Sequence, residues 1–235
     1  MKTLSTSKIA KIIKTATFAV AAAALSLGLA TGTAQAAGGT MYGDPTAAAK
    51  WWSHQHYDDC AIMASADVVG EMTGKKPSEH AIIKKAQETP SVVHSGSIYI
   101  KPVKGDATTG NGTMLPDLPE LLRQYGIKAV YSSKDYAAKT HVPTGIEGLE
   151  QLLSTNHKLI VALNAEMIWH QPIENKDRNG NPRADHAVVV TGIDTTNNVV
   201  HLNDSGTPTG KDEQIPLALF MQAWNTGNQM VVTTA

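Results

Sequence analysis

The chain of 235 residues carries a single thiol, Cys60. A lone cysteine cannot close an internal disulfide. It is a small buried hydrophobe, a link to another chain, or a reactive group. Its surroundings favour reactivity. Apolar and small residues follow it at three- and four-residue spacing: Ala61, Ile62, Ala64, Ser65, Val68, Val69 and Met72. That spacing predicts a helix that starts at Cys60, is capped by Asp58 or Asp59, and is ended by Gly74 and Pro77. Cys60 then sits in the first turn, where the free N–H groups and the helix dipole favour a thiolate. Two more residues complete a reactive set. His186 opens the run HAVVV, and Asp204 follows Asn203 at the end of NVVHLN. A hairpin of these two runs can set His186 beside Asp204 across 18 positions of sequence. A thiolate, an imidazole that exchanges protons with it, and a carboxylate that orients the imidazole form a nucleophilic acyl-transfer site. The oxyanion that develops needs donors, for which the Cys60 N–H and the Gln55 side-chain amide are candidates.

Other chemistries find less support. His54, His56, Asp58 and Asp59 crowd six residues and could bind zinc, but no further ligand pair has the usual spacing. They read as a polar approach to a cleft. Asp177, Asn179 and Asn181 alternate around Gly180 as in a calcium loop, yet no Glu stands at the final position. No glycine-rich phosphate loop is present. The expected site needs no metal and no cofactor. Trp169 and His170 are candidates to line the substrate groove.

The elements that must position these residues are legible from pattern. After the Cys60 helix, SEHAIIKKAQETP predicts a second helix from Ser78 to near Pro90. Residues 91–118 are rich in Gly, Thr and Ser, a strand-like patch and a long loop. DLPELLRQY predicts a short helix closed by Gly126, and IKAVYSS a strand. TGIEGLEQLLSTNHK predicts a helix and LIVALNAE a strand running into Met167. QPIENKDRNGNPRAD is a polar turn region with Asn179-Gly180 at its centre. HAVVVTGID and NVVHLNDSG are strands about a turn at Thr195–Asn198. IPLALFMQAWN is a short helix and QMVVTT a closing strand. Helices lead and an antiparallel sheet follows, an α+β layout.

The ends set the compartment. Residues 1–17 hold four lysines and no acid. A 13-residue apolar run, FAVAAAALSLGLA, comes next, and then Ala34-Gln35-Ala36. This is the order of a secretory signal with cleavage after Ala36 or Ala37. The apolar run falls short of the roughly 20 residues a spanning helix needs. Residues 1–36 are thus expected as a signal peptide, 37–50 as a leader, and 51–235 as one domain. Of the 20 Lys and Arg, four leave with the signal, so 16 face 21 Asp and Glu. A mildly acidic protein offers no footprint for nucleic acid and no basic face for an anionic membrane. A secreted monomer that acts on a peptide or protein is expected.

Three segments together resemble a known family: Gln55-x-x-x-x-Cys60, then Asp185-His186-Ala-Val-Val-Val-Thr-Gly-Ile-Asp194, then Asn203-Asp204-Ser-Gly. They are similar to the soluble, exported relatives of the bacteriocin-processing cysteine peptidases, the Peptidase_C39-like family. The likeness extends through DLPELLRQYGI, GLEQLLSTNHKLIVALNAEMIW and IPLALFMQAWNTGNQMVVT, most of residues 50–235. It implies a papain-like fold, Cys60 as nucleophile, His186 as base, Asp204 as its orienting residue, and Gln55 at the oxyanion hole. Ala61 stands where that family usually has Gly, Gln55 precedes Cys60 by five positions where six is common, and two acids directly precede the thiol. The alternatives are a transglutaminase-like or cell-wall acyl-transfer enzyme, and a papain-like binding or toxin-like module of weak catalysis. The 126 positions between Cys60 and His186 disfavour the compact cell-wall peptidase folds.

Overall fold

The computed structural model describes residues 39–101, 103 and 112–235. The signal segment expected over 1–36 lies outside the described residues. Seven strands form one antiparallel sheet: β1 (Met41–Gly43), β2 (Ala129–Ser132), β3 (Leu159–Leu163), β4 (His186–Asp194), β5 (Val199–Asn203), β6 (Glu213–Pro216) and β7 (Val231–Thr234). Their order is β2-β7-β3-β4-β5-β6, with β1 added on β4. Among the described residues eight α-helices accompany them: α1 (Pro45–Ala49), α2 (Cys60–Thr73), α3 (Glu79–Glu88), α4 (Leu118–Arg123), α5 (Ala137–Thr140), α6 (Gly145–Ser154), α7 (Ala165–Ile168) and α8 (Leu217–Asn225). The expected α+β layout is the observed one.

Side chains alternate across a strand, so β3 and β4 serve two cores at once. Ile160, Ala162, Ala187 and Val189 face α2 and α4, where Ala61, Ala64, Val68, Leu118 and Leu122 meet them. Leu159, Val161, Leu163, Val188 and Val190 face the opposite way, onto Leu149 and Leu152 of α6 and Phe220 and Trp224 of α8. Because both faces are covered, β3 is buried throughout. The helix α2 is buried from Ala61 to Gly70. Its outer side carries Ile62 and Ala66 against Ile82 and Ala86 of α3. A helix apolar all round belongs in the middle of a domain. That is how Cys60 comes to stand at the head of a rigid element.

Local signals set several boundaries. Ser78 caps α3, accepting from the Ala81 N–H. Gly74 ends α2 at φ 73°, a conformation glycine adopts without steric cost. The strand expected to run from Leu159 into Met167 stops at Leu163. Asn164 turns it, because its side chain accepts from the Met167 N–H at 3.0 Å and caps α7. Residues 41–49, expected within a leader outside the core, are instead joined to the domain. Met41, Tyr42 and Gly43 pair with Asp194, Ile193 and Gly192, and Ala48 is buried. A three-residue strand is too short to show a period, and Asp44-Pro45 reads as a turn when it in fact starts α1.

A buried ion pair ties this segment down. Lys76 Nζ donates to Asp67 Oδ1 at 2.5 Å, to Ser53 Oγ at 2.7 Å, and to the Trp51 carbonyl. Asn203 Nδ2 donates to the Ala48 carbonyl at 3.0 Å. Burial raises the Asp67 carboxyl to about 7 even though Lys76 opposes the shift. Together these contacts fix the chain from Ala48 to Ser53, which leads into Gln55 and Cys60.

Candidate active site

Cys60 is the first residue of α2, half-buried, with Asp59 at the N-cap position. The first N–H groups of a helix have no partner within it and point to where a thiolate or an oxyanion would lie. Asp59 is buried, yet its side chain makes no capping bond, and both its carboxyl oxygens are without hydrogen-bond partners among the described residues. Asp59 thus takes the predicted position but not the predicted contact. Burial pushes its carboxyl up to about 7, helped by Glu79 and Asp58. A carboxyl raised this far carries much less charge against the neighbouring thiol than an ordinary aspartate would.

His186 opens β4 and is buried. Its Nε2 meets Asp204 Oδ1 at 2.6 Å. Cys60 lies within hydrogen-bonding reach of the same ring. With Nε2 taken by Asp204, Nδ1 is the nitrogen left for the thiol. Burial alone would lower the imidazole pKa. The Cys60 thiolate and Asp204 outweigh burial and raise it to about 10. The ring is therefore favoured as an imidazolium, backed by a carboxylate and facing the thiol.

Asp204 follows β5 and is fully enclosed. In the β4–β5 ladder Val189 pairs with Asn203. One further step sets Asp204 by Val188, two residues from His186 and on the same face. The side chains close that diagonal gap. Asp204 Oδ1 also accepts from the Gly206 N–H at 2.7 Å, and Oδ2 accepts from Trp169 Nε1 at 2.9 Å. Its carbonyl accepts from Trp52 Nε1 at 2.6 Å. Burial would raise this carboxyl, but His186, the Gly206 N–H and Trp169 together hold it below the ordinary carboxylate range. The Trp169 ring also lies against the imidazole, with centroids 5.1 Å apart at 58°.

Gln55 is tied to the same loop but held tightly. Its N–H donates to the Ser205 carbonyl, its Oε1 accepts from Ser205 Oγ at 2.8 Å, and its Nε2 donates to the Tyr57 carbonyl at 2.9 Å. One amide hydrogen is thus committed and one remains. Gln55 is not among the residues that line the cleft at Cys60, a cavity of about 640 Å³. That cleft runs past Cys60 and His186 over Ala61, Ala162, Tyr131 and Met230. Of the other singled-out groups, His56 bonds Glu79 Oε2 through Nδ1 at 2.7 Å. Asp177 spends Oδ1 on the N–H groups of Asn179 and Asn181, closing its own turn.

Three supporting residues escaped the sequence reading. The sequence marks Trp169 as groove lining, not as a donor to Asp204 across 35 positions. Trp52 and Gly206 had no assigned role. The dipeptide signal at Ser205-Gly206 marks a turn, but nothing local says that the turn must fold back on His186.

The profile of the Peptidase_C39 like family matches residues 44–231. The chain belongs to the Peptidase_C39-like family. Proteins of Mycobacterium tuberculosis and Mycobacterium bovis, both named as uncharacterized, are 60% identical to it over 233 residues, covering 98% of this chain and all of theirs. A solved Bacillus anthracis structure designated a C39-like peptidase superposes with a TM-score of 0.56 at 18% identity, covering 83% of this chain and 98% of its own. That likeness shows the fold, which is α+β and papain-like. Family and fold support a cysteine-peptidase-like function for this Peptidase_C39-like protein.

Proposed function

We propose that this is an exported cysteine peptidase that cleaves amide bonds through Cys60, His186 and Asp204. The observation that carries the reading is one arrangement: a thiol on a helix N-terminus, within reach of an imidazole whose far nitrogen is bound to a buried carboxylate at 2.6 Å. Cys60 Sγ attacks the carbonyl carbon, and the oxyanion is received by the Cys60 N–H at the start of α2. His186 Nδ1 gives its proton to the leaving amine as the C–N bond breaks, leaving a thioester on Cys60. His186 then takes a proton from water, whose oxygen adds to the thioester. The C–S bond breaks, the acid is released, and the thiolate–imidazolium pair returns. Asp204 holds the ring for both steps and stays ionised. The basic, apolar and Ala-Gln-Ala order of residues 1–36 supports export, and specificity resides in the cleft beside Cys60.

The test is hydrolysis of a diverse fluorogenic peptide library by the purified protein beside Cys60→Ala, His186→Ala and Asp204→Asn. Cleavage by the parent that Cys60→Ala and His186→Ala abolish is the expected result. A folded parent that cleaves no peptide would overturn the reading in favour of a binding module.

A further inference from the structure

Asp204 has one lone-pair site to spare. A carboxylate offers about four such sites. Three are taken, by His186 Nε2, the Gly206 N–H and Trp169 Nε1. On the neighbouring strand stands a carboxyl that the mechanism does not use. Glu213 opens β6 and pairs with Leu202 of β5, two residues before Asp204. Side chains two apart on a strand share a face, so Glu213 and Asp204 project to the same side. Glu213 Oε2 is fully shielded and has no hydrogen-bond partner among the described residues, and the Asp204 carboxylate is the charge that acts most strongly on this carboxyl. An enclosed carboxylate and a neighbouring carboxyl with a shielded oxygen cannot both be ionised cheaply, and the arrangement is stable when one carries the proton.

We propose that Glu213 is a positioning residue of this site, whose carboxyl donates the fourth hydrogen bond to Asp204 and thereby fixes His186. The proposal rests on the cysteine-peptidase reading for its catalytic consequence, though not for its geometry. His186, Asp204 and Glu213 then form a line across β4, β5 and β6, each orienting the one before it. The division of protons is consistent. Burial first, and then the Asp204 charge, raise Glu213 to about 7, with His186 opposing. Asp204, bound by three donors, is the member held ionised. Among the described residues no other charge intervenes. His201 of β5 stands opposite Gln214 and is bound to Asp212 at 2.7 Å, and α8 carries no ionisable side chain. Above neutral pH, Glu213 loses its proton. The donor to Asp204 is then replaced by a second negative charge behind His186.

The test reads the His186 Nε2 proton by NMR, together with kcat/KM, in the purified protein, Glu213→Gln and Glu213→Leu. Glutamine keeps a donor but cannot titrate, whereas leucine keeps neither property. In the parent, the resonance is expected to shift with an inflection near pH 7, and in Glu213→Gln to stay flat over that range. Glu213→Gln should keep kcat/KM within about threefold of the parent. Glu213→Leu should lose about tenfold, the worth of one hydrogen bond to a charged group. A parental inflection in Glu213→Gln overturns the proposal, as does a parental kcat/KM and resonance in a folded Glu213→Leu. If no peptide is cleaved but the resonance follows Glu213 as described, the peptidase reading falls and the positioning contact stands. If peptides are cleaved and the resonance ignores both substitutions, the positioning contact alone falls.

Discussion

Gly206→Ala adds one carbon at a crowded point of the site. That carbon would lie 2.8 Å from His186 Cε1, 2.8 Å from Trp169 Cζ2 and 3.0 Å from Trp169 Cη2. Carbon atoms in contact prefer about 3.5–4.0 Å, so something must move by roughly 0.7–1.2 Å. Neither neighbour is a flexible chain end. The imidazole is tethered by Asp204 and the indole by its own bond to the same carboxylate. A misplacement of about 1 Å at a reacting group costs on the order of 10²-fold in rate, or about 2.7 kcal/mol of barrier. Gly206 does not adopt a positive φ, so backbone strain is not a competing cause. The assay is kcat/KM on the best peptide, with a thermal melt to show that the variant is folded. A hundredfold loss with a small change in melting temperature is expected. A folded Gly206→Ala within twofold of the parent would refute the crowding argument.

Three further outcomes follow from the same contacts. Trp169→Phe keeps a ring against His186 but removes a donor to a buried charge, worth about 1.5–3 kcal/mol; kcat/KM should fall roughly 10- to 150-fold, and parental kinetics would count against the Asp204–Trp169 bond. Cys60→Ala should lower the His186 pKa, since burial lowers it and only Cys60 and Asp204 together carry it from 6.5 to about 10. That raised pKa makes the imidazolium's contribution to stability full below about pH 6.5 and lost as pH rises through about 10, so Cys60→Ala should move the loss to lower pH in an NMR titration. Lys76→Met strands Asp67 in the interior at a cost of about 3–5 kcal/mol. For a domain of this size the melting temperature should fall by roughly 6–20 °C. Asp67 is raised from 3.8 to about 7, so the destabilisation should grow as pH rises through about 7 and be smaller at pH 5 than at pH 8. Equal losses at the two pH values would contradict it.

Much of this site could be read from the sequence because its members are bound to periodic elements. Apolar spacing after Cys60 marks α2, and Ser78, Gly74 and Gly126 mark boundaries through local backbone preferences. The hairpin of β4 and β5 is an alternation that brings His186 near Asp204. What was not legible depends on tertiary register. Trp169 reaches Asp204 only because Asn164 stops β3 and turns the chain into α7. Glu213 reaches the same carboxylate only through the pairing of β6 with β5, and a four-residue strand before a helix carries no period to announce it. The segment 41–49 reads as a leader because its strand is short, its partner β4 lies some 150 positions away, and Lys76 secures the chain that follows from the far side of α2. The sequence sets the two acids before Cys60 as candidates to cap the helix. The fold instead buries Asp59 without a hydrogen-bond partner among the described residues and raises its carboxyl.

The central claim is that Cys60 becomes acylated during turnover. It is tested most directly by quenching the reaction with a peptide ester in acid and weighing the Cys60-containing fragment. A mass increase equal to the acyl group in the parent, absent in Cys60→Ala and persistent in a variant slowed at the water step, is the predicted result. Turnover by the parent with no adduct on Cys60, or equal turnover by Cys60→Ala, would contradict the account.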